Sequence, residues 1–198
     1  MLKVSKVVSI INDAKRLGID FTEEEQYQLD SHTRYASFYE NETIYAQHKI
    51  SQHWLYITSG IASSQQVQTD GSRSIARFFE SSQLCGNLTS TWLQGYANDA
   101  LVASTGLEGI EIEHEYFKQE YMSGANVGLY FRSKVIETLM YDKEIIVLKT
   151  ICDIKMGYEF LFEYHPEVLK SVKKKEIAAF LGVTPQGLSK FLRNTCPE

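Results

Sequence analysis

The chain has 198 residues, 43% hydrophobic and 12% aromatic, enough to bury a core in one large or two small domains and too apolar for wholesale disorder. Its formal net charge of −5 disfavours a nucleic-acid partner for the chain as a whole, and its three scattered cysteines, Cys85, Cys152 and Cys196, argue against a disulfide framework or a structural zinc site. No apolar run approaches the roughly 18–20 residues that span a bilayer, and the N-terminus has no small-residue cleavage site, so a cytoplasmic protein with no membrane partner is expected.

The stretch VVSIINDAKRLGI places Val7, Ile10, Ile11, Ala14 and Leu17 on one helical face, with Gly18 as a C-cap. Thr22 stands three residues before Glu25, a capping-box pattern that opens a second short helix, EEEQYQLDSH. From Tyr35 the texture changes to short β-type runs separated by turn signals at Asn41, Ser59-Gly60 and Asp70-Gly71. The Asp-Gly pair, flanked by SSQQVQT and SRSIARFF, predicts a hairpin. With ALVASTG and GIEIEHEYF the region holds about eight short strands, the pattern of a small antiparallel barrel, roll or sandwich.

From about Tyr116 the pattern is helical, with no proline before Pro166. Val127, Phe131, Val135 and Leu139 recur four apart along one face, and Ile145, Leu148 and Cys152 continue an apolar stripe. Met156-Gly157 is expected to weaken or bend the following helix. The expected organisation is α+β: a β-roll with flanking helices over 1–121, a long helix over 122–142, and a helical C-terminal domain over 143–198.

Charge is unevenly spread. Residues 1–120 carry nine Lys/Arg against sixteen Asp/Glu, whereas residues 121–198 carry eleven against nine. A polyanion would meet a favourable surface only at the C-terminal end, where Lys170, Lys173, Lys174, Lys175, Lys190 and Arg193 lie. The closing stretch EIAAFLGVTPQGLSKFLRN explains why. Ile177, Phe180 and Leu181 face inward, Ala178 and Ala179 allow a close helix crossing, and Gly182 ends the first helix. Thr184 caps the second helix, Pro185 opens it, and Leu188, Phe191 and Leu192 face the core. Gln186, Gly187, Ser189, Lys190 and Arg193 remain on the open face. This is a helix-turn-helix pattern, in which the second helix enters a major groove. Lys174, Thr184, Gln186, Ser189, Lys190 and Arg193 are the candidate DNA-binding residues; an ordinary helical corner is the competing reading.

The chain resembles regulators of the CRP/FNR type, the cyclic-AMP receptor family. EEEQYQLDSHTRYASFYENETIY is similar to the family's lead-in to its roll, WLYITSGIA and QTDGSRSIARFFESSQLCGN to the strands before its ligand cassette, and FLFEYHPEVLKSVKKKEIAAFLGVTPQGLSKFLRN to its DNA reader. The resemblance implies a cyclic-nucleotide-binding-type roll and a bacterial homodimer joined along the long helix through Val127, Phe131, Val135 and Leu139. It also implies double-stranded DNA as partner, with RNA polymerase a further candidate. Many relatives place a β-wing after the reader, and the sequence ends at Glu198 without one.

Nucleotide-binding members of the family carry a Gly-Glu pair and, some ten residues on, an Arg that neutralises the cyclic phosphate. Here CGNLTSTWLQGYANDALV keeps Gly86 but has Asn87 for the Glu and Asn98 for the Arg, and Asp99 would repel a phosphate. Ordinary cyclic-AMP binding is not expected, and no cofactor is assigned. Gly86, Asn87, Leu88, Thr89, Asn98 and Asp99 are kept as the residues of an effector pocket, either plugged by Trp92 or open to a small uncharged or weakly polar molecule; plain roll residues are the competing reading. Iron–sulfur sensing needs about four cysteines, and His32, His48, His53, His114 and His165 offer no diagnostic haem pair. Cys85 reads as a buried thiol rather than a redox switch.

An enzyme is not expected: the strand region lacks the clustered histidines of a metal-dependent roll enzyme, and GxSxG, HExxH and P-loop patterns are absent. The alternative function is an interaction or sensor module of the same fold that no longer reads DNA. Pro185, Gln186 and Gly187 feed it, because they stand where many relatives present Arg and Glu, and a glycine weakens a helix.

Overall fold

The computed structural model describes residues 6–67, 73–93, 95–151 and 153–195. Helix α1 (Val8–Arg16) turns Ile10, Ile11 and Ala14 into the core behind a buried Val7. Gly18 ends it at φ +74°, where only glycine is unstrained, and its amide donates to the Lys15 carbonyl at 3.0 Å. Leu17 departs from the expected face: it is the C-cap, already turning away, and is half exposed. Helix α2 (Glu23–Ser31) begins with the expected capping box. The Glu25 amide donates to Thr22 Oγ1 at 3.2 Å and the Thr22 amide to Glu25 Oε2 at 2.8 Å.

Eight strands are described: β1 (Thr33–Phe38), β2 (Thr43–Tyr45), β3 (His53–Ser59), β4 (Ala62–Val67), β5 (Arg73–Phe79), β6 (Leu84–Cys85), β7 (Ala100–Ala103) and β8 (Leu107–Glu113). A short helix, α3 (Leu88–Leu93), lies between β6 and β7. The strands form two four-stranded antiparallel sheets, ordered β1-β8-β3-β6 and β2-β7-β4-β5. Leu55, Ile57, Leu101, Ala103 and Leu107 fill the space between them. Asn41 and Gly60 take the left-handed conformation their turns require, at φ 68° and +85°. A Cβ on Gly60 would lie 2.2 Å from the Gly106 carbonyl oxygen, so that turn tolerates only glycine. The Asp70-Gly71 turn lies outside the described residues, but the strands it would join are antiparallel and pair Val67 with Arg73.

A bulge breaks that pairing. Gln65 faces Ile75 and the neighbouring Ser64 faces Arg77, so Ala76 is the extra residue. Alternation along β5 is thereby re-phased. Ile75 and Phe78 pack towards the C-terminal helices, while Phe79 joins the core between the sheets.

Five helices follow: α4 (His114–Met122), α5 (Asn126–Ile151), α6 (Ile154–Tyr164), α7 (Pro166–Ser171) and α8 (Lys174–Phe180), and then α9 (Pro185–Thr195) closes the described chain. The long helix expected over 122–142 is α5, which begins later and runs further. Its start is tied to α2, because Glu25 Oε1 accepts from the Asn126 amide at 2.6 Å. Its four-apart stripe does not face a partner. Val127, Phe131 and Val135 are buried in this chain's own core against α1, α4 and the roll, with Phe131 stacked on Phe117 at 4.4 Å between centroids. Leu139 alone of the four is half exposed. The break after α5 falls at Asp153, whose carboxylate caps α6 by accepting from the Met156 amide at 3.0 Å, and α6 continues straight through Gly157. Gly157 makes room for the corner between α8 and α9 instead: a Cβ there would sit 2.7 Å from Leu181 Cδ2. No described helix is long and apolar enough to cross a membrane.

Candidate functional site

The C-terminal pair is built as its residues require. Gly182 ends α8 at φ +69°, and the Val183 amide reaches back to the Ala178 carbonyl at 3.0 Å. Thr184 Oγ1 accepts from the Gly187 amide at 3.0 Å, and Pro185 occupies the first helical position. Gly187 suits this cap, since a Cβ there would lie 3.2 Å from Thr184 Oγ1. Leu188 is fully buried and Phe191 meets Tyr158 edge-on at 5.8 Å. Gln186, Ser189, Lys190 and Arg193 are exposed, as are Lys174 and Thr184. Ser189 Oγ is turned back to the Pro185 carbonyl at 2.8 Å.

The pair is also joined to the roll, which the sequence pattern did not reveal. Phe180 packs on Phe78 at 5.4 Å, and Lys173 Nζ lies 2.5 Å from Glu40 Oε1 in the β1–β2 turn. The Lys173 ammonium holds the exposed Glu40 carboxyl below the ordinary carboxylate range. Lys149 Nζ donates to the Ile75 carbonyl and lies 4.7 Å from the Phe180 ring centroid. His165 sits between Glu80 and Tyr141, 2.5 Å and 2.8 Å away.

The second site is the β6–α3–β7 segment. Gly86 has a packing reason of its own: a Cβ would lie 2.2 Å from Trp54 Cε3. Asn87 Oδ1 accepts from the Ser90 amide at 2.9 Å and so caps α3. Its Nδ2 donates to Asn98 Oδ1 at 3.2 Å and to Asp99, and Asp99 also accepts from Ser64 Oγ. Gly86, Asn87, Asn98 and Asp99 therefore come together, on the wall of a cavity of about 340 Å³ between the roll and α5. The side chains of Leu88 and Thr89 lie outside the described residues. Trp92 does not plug this cavity. It meets Tyr121 edge-on at 5.0 Å and lines a separate apolar cleft with Trp54, Phe117 and Val135, because α3 turns it towards α4 and α5.

The residue that sequence reasoning missed is Arg77. It is 5% exposed and lines the cavity from β5. Its Nη1 donates to Asp142 Oδ1 at 2.7 Å and to the Thr138 carbonyl at 3.4 Å, both on α5. The guanidinium carbon lies 4.0 Å from the Phe79 ring centroid and 4.4 Å from that of Tyr141. Its Nε has no hydrogen-bond partner among the described residues. Tyr45 lines the same wall; burial, and then the nearby Asp99 carboxylate, push its phenol well above the ordinary range. Burial likewise pushes the Cys85 thiol up, the condition of an inert structural cysteine. Cys152 and Cys196 lie outside the described residues.

No protein-family model matches the chain, and no curated protein matches it. Solved structures do. FixK2 from Bradyrhizobium japonicum superposes with a TM-score of 0.70 at 15% identity, over 82% of this chain and 83% of that one. CLP, a c-di-GMP-responsive global regulator of Xanthomonas campestris, gives 0.66 at 13% identity, over 85% and 88%. A CooA variant from Carboxydothermus hydrogenoformans gives 0.67 at 14% identity, over 98% and 85%. At such identities the likeness establishes the fold: a cyclic-nucleotide-binding-type roll, a long helix and a helical C-terminal domain in the CRP/FNR arrangement.

Proposed function

We propose that this chain is a DNA-binding transcription regulator of the CRP/FNR type, working as a homodimer in the bacterial cytoplasm, whose roll does not take cyclic AMP in the family's usual way. The observation that carries the reading is the face of α9. Gln186, Lys190 and Arg193 are exposed on a helix whose start is fixed by the Thr184 cap. Gln offers an adenine edge a bidentate pair, and Lys and Arg serve guanine or phosphate. Lys174 and Lys175 add exposed positive charge at the start of α8.

The dimer rests on a different stripe of α5 from the buried one. Leu129, Ile136, Met140 and Val147 are all at least 46% exposed and recur at coiled-coil spacing. Two copies joined there would carry two readers, as a pseudo-palindromic operator requires. RNA polymerase is the further partner such a regulator would meet. Asn87, Asn98 and Asp99 support the exclusion of cyclic AMP, since neutral amides stand at the two positions where nucleotide-binding relatives carry Glu and Arg, and a carboxylate stands beside them.

Fluorescence anisotropy with duplex DNA from upstream of the protein's own gene, at two salt concentrations, tests the reading. Binding tighter than about 1 µM is expected, with Lys190→Ala and Arg193→Ala each flattening the salt slope by about 1. Binding no tighter than micromolar, or indifferent to both substitutions, would favour the interaction module that no longer reads DNA.

A further inference from the structure

The roll touches the C-terminal pair at one point through opposite charges. Lys173 Nζ, at the start of α8, lies 2.5 Å from Glu40 Oε1 in the β1–β2 turn. We propose that Glu40 is a built-in competitor of the DNA backbone: its carboxylate holds the place on Lys173 that a DNA phosphate takes in the complex. The proposal rests on the DNA-binding reading and adds to it a phosphate contact and the group that DNA displaces to make it.

Lys173 is placed for such a contact. It is the N-cap of α8, the first helix of the C-terminal pair, and in a helix-turn-helix that helix crosses the DNA backbone. Lys174 and Lys175 follow it, and all three are exposed. Among the described residues, Lys173 is the one of the three in contact with a carboxylate, while the Lys175 charge acts on Glu40 from further off.

Glu40 is placed to compete, because its turn is fixed. The Glu42 amide donates to the Tyr39 carbonyl at 3.0 Å, with Asn41 at φ 68° between them and Glu40. The Asn41 amide donates to the Ala103 carbonyl at 2.7 Å and the Ala103 amide to the Glu42 carbonyl at 2.9 Å, which ties the turn to β7. The Glu42 carboxylate is folded back on the Tyr39 amide at 2.8 Å, so Glu40 is the acid of this turn that faces α8. Carboxylate and phosphate oxygens accept from the same ammonium donors, so the two are alternatives on Lys173.

The exchange needs no swing of the C-terminal helices. The side chains of Lys173 and Glu40 are 50% and 42% exposed. The deeper contacts, Phe78 on Phe180 and Lys149 Nζ on the Ile75 carbonyl, lie apart from them. A phosphate can reach Lys173 from solvent while those stay made. An exposed ion pair is weak, so its release changes DNA affinity by about fivefold at most.

Fluorescence anisotropy of the full-length chain with duplex DNA from upstream of its own gene tests this. Glu40→Gln should tighten binding by about two- to fivefold. Lys173→Gln should weaken it and lower the salt slope by about 1. In the Lys173→Gln background, Glu40→Gln should no longer tighten binding. Glu115→Gln removes the same charge from an 87% exposed side chain on α4 and should leave affinity as it is. Carbodiimide, which joins a carboxylate to an amine in contact with it, gives a second readout: the Glu40–Lys173 amide should form in the free chain and be suppressed by bound duplex. The proposal is overturned, with the DNA-binding reading left standing, by any of four results when the parent binds duplex. These are a Glu40→Gln chain that binds no tighter, an equal effect of Glu40→Gln with and without Lys173, an equal effect of Glu115→Gln, and a cross-link that bound duplex leaves in place. If neither the parent nor Glu40→Gln binds tighter than about 1 µM, both readings fall.

Discussion

His165 holds Glu80 and Tyr141 at once, its Nδ1 2.5 Å from the Glu80 carboxylate and its Nε2 2.8 Å from the Tyr141 hydroxyl. Glu80 follows the last roll strand of the hairpin, Tyr141 lies in α5, and His165 joins α6 to α7, so one imidazole fastens three parts of the fold. His165→Ala strands two polar partners in a half-dry setting and should cost about 1–3 kcal/mol. Urea denaturation followed by circular dichroism checks this. An unchanged midpoint would mean that the contact contributes nothing net.

Glu25 predicts a pH dependence. Burial raises the pKa of its carboxyl, but the hydrogen bonds from Thr22, Asn126 and Val127 outweigh burial and hold it below the ordinary 4.5. The unfolded chain therefore takes up a proton first as pH falls. The stability Glu25 contributes is fully present above about pH 4.5 and is lost as pH falls below that value through the folded-state pKa. Melting temperature against pH should show a shallower acid limb for Glu25→Gln than for the parent. Parallel limbs would dismiss the carboxylate as the cause.

The two stripes of α5 should respond differently to substitution. Phe131 is fully buried and touches Phe117, Tyr116 and Tyr130, so Phe131→Ala should cost about 3–5 kcal/mol of stability. Ile136 is 55% exposed, so Ile136→Glu should leave the melting of each chain nearly unchanged and convert dimer to monomer in analytical ultracentrifugation. A dimer that survives both Ile136→Glu and Met140→Glu would place the interface elsewhere.

Gly86 offers a further check on how the cassette is held. A methyl group there would overlap the Trp54 ring, which is buried and stacked on Phe117 at 4.3 Å, so accommodating it would disturb that packing. Gly86→Ala should destabilise by about 1–3 kcal/mol and alter tryptophan fluorescence. If stability holds, the glycine is retained for some reason other than packing.

Local chemistry made much of this fold legible. The capping box at Thr22 and Glu25, the left-handed glycines at 18 and 182, and the Thr184-Pro185 helix start all depend on a few consecutive residues, and each appears where the residues place it. What failed was the identity of the facing element. Periodicity along α5 revealed that Val127, Phe131 and Val135 are buried, but not that α1, α4 and the roll bury them. Trp92 was misplaced for the same reason, since the turn of α3 decides which wall it joins. Arg77 escaped notice because its strand does not alternate cleanly. IARFF reads as a buried run, and only the bulge at Ala76 separates the residues facing the C-terminal helices from those facing the roll interior.

That bulge shortens a distance usually counted along a helix. Arg77 belongs to the cavity and Phe78 to the packing against Phe180, the last residue of α8. They are consecutive. Twenty-six residues of α5 also run from the roll to the C-terminal helices, but the two ends of the molecule already share a single peptide bond.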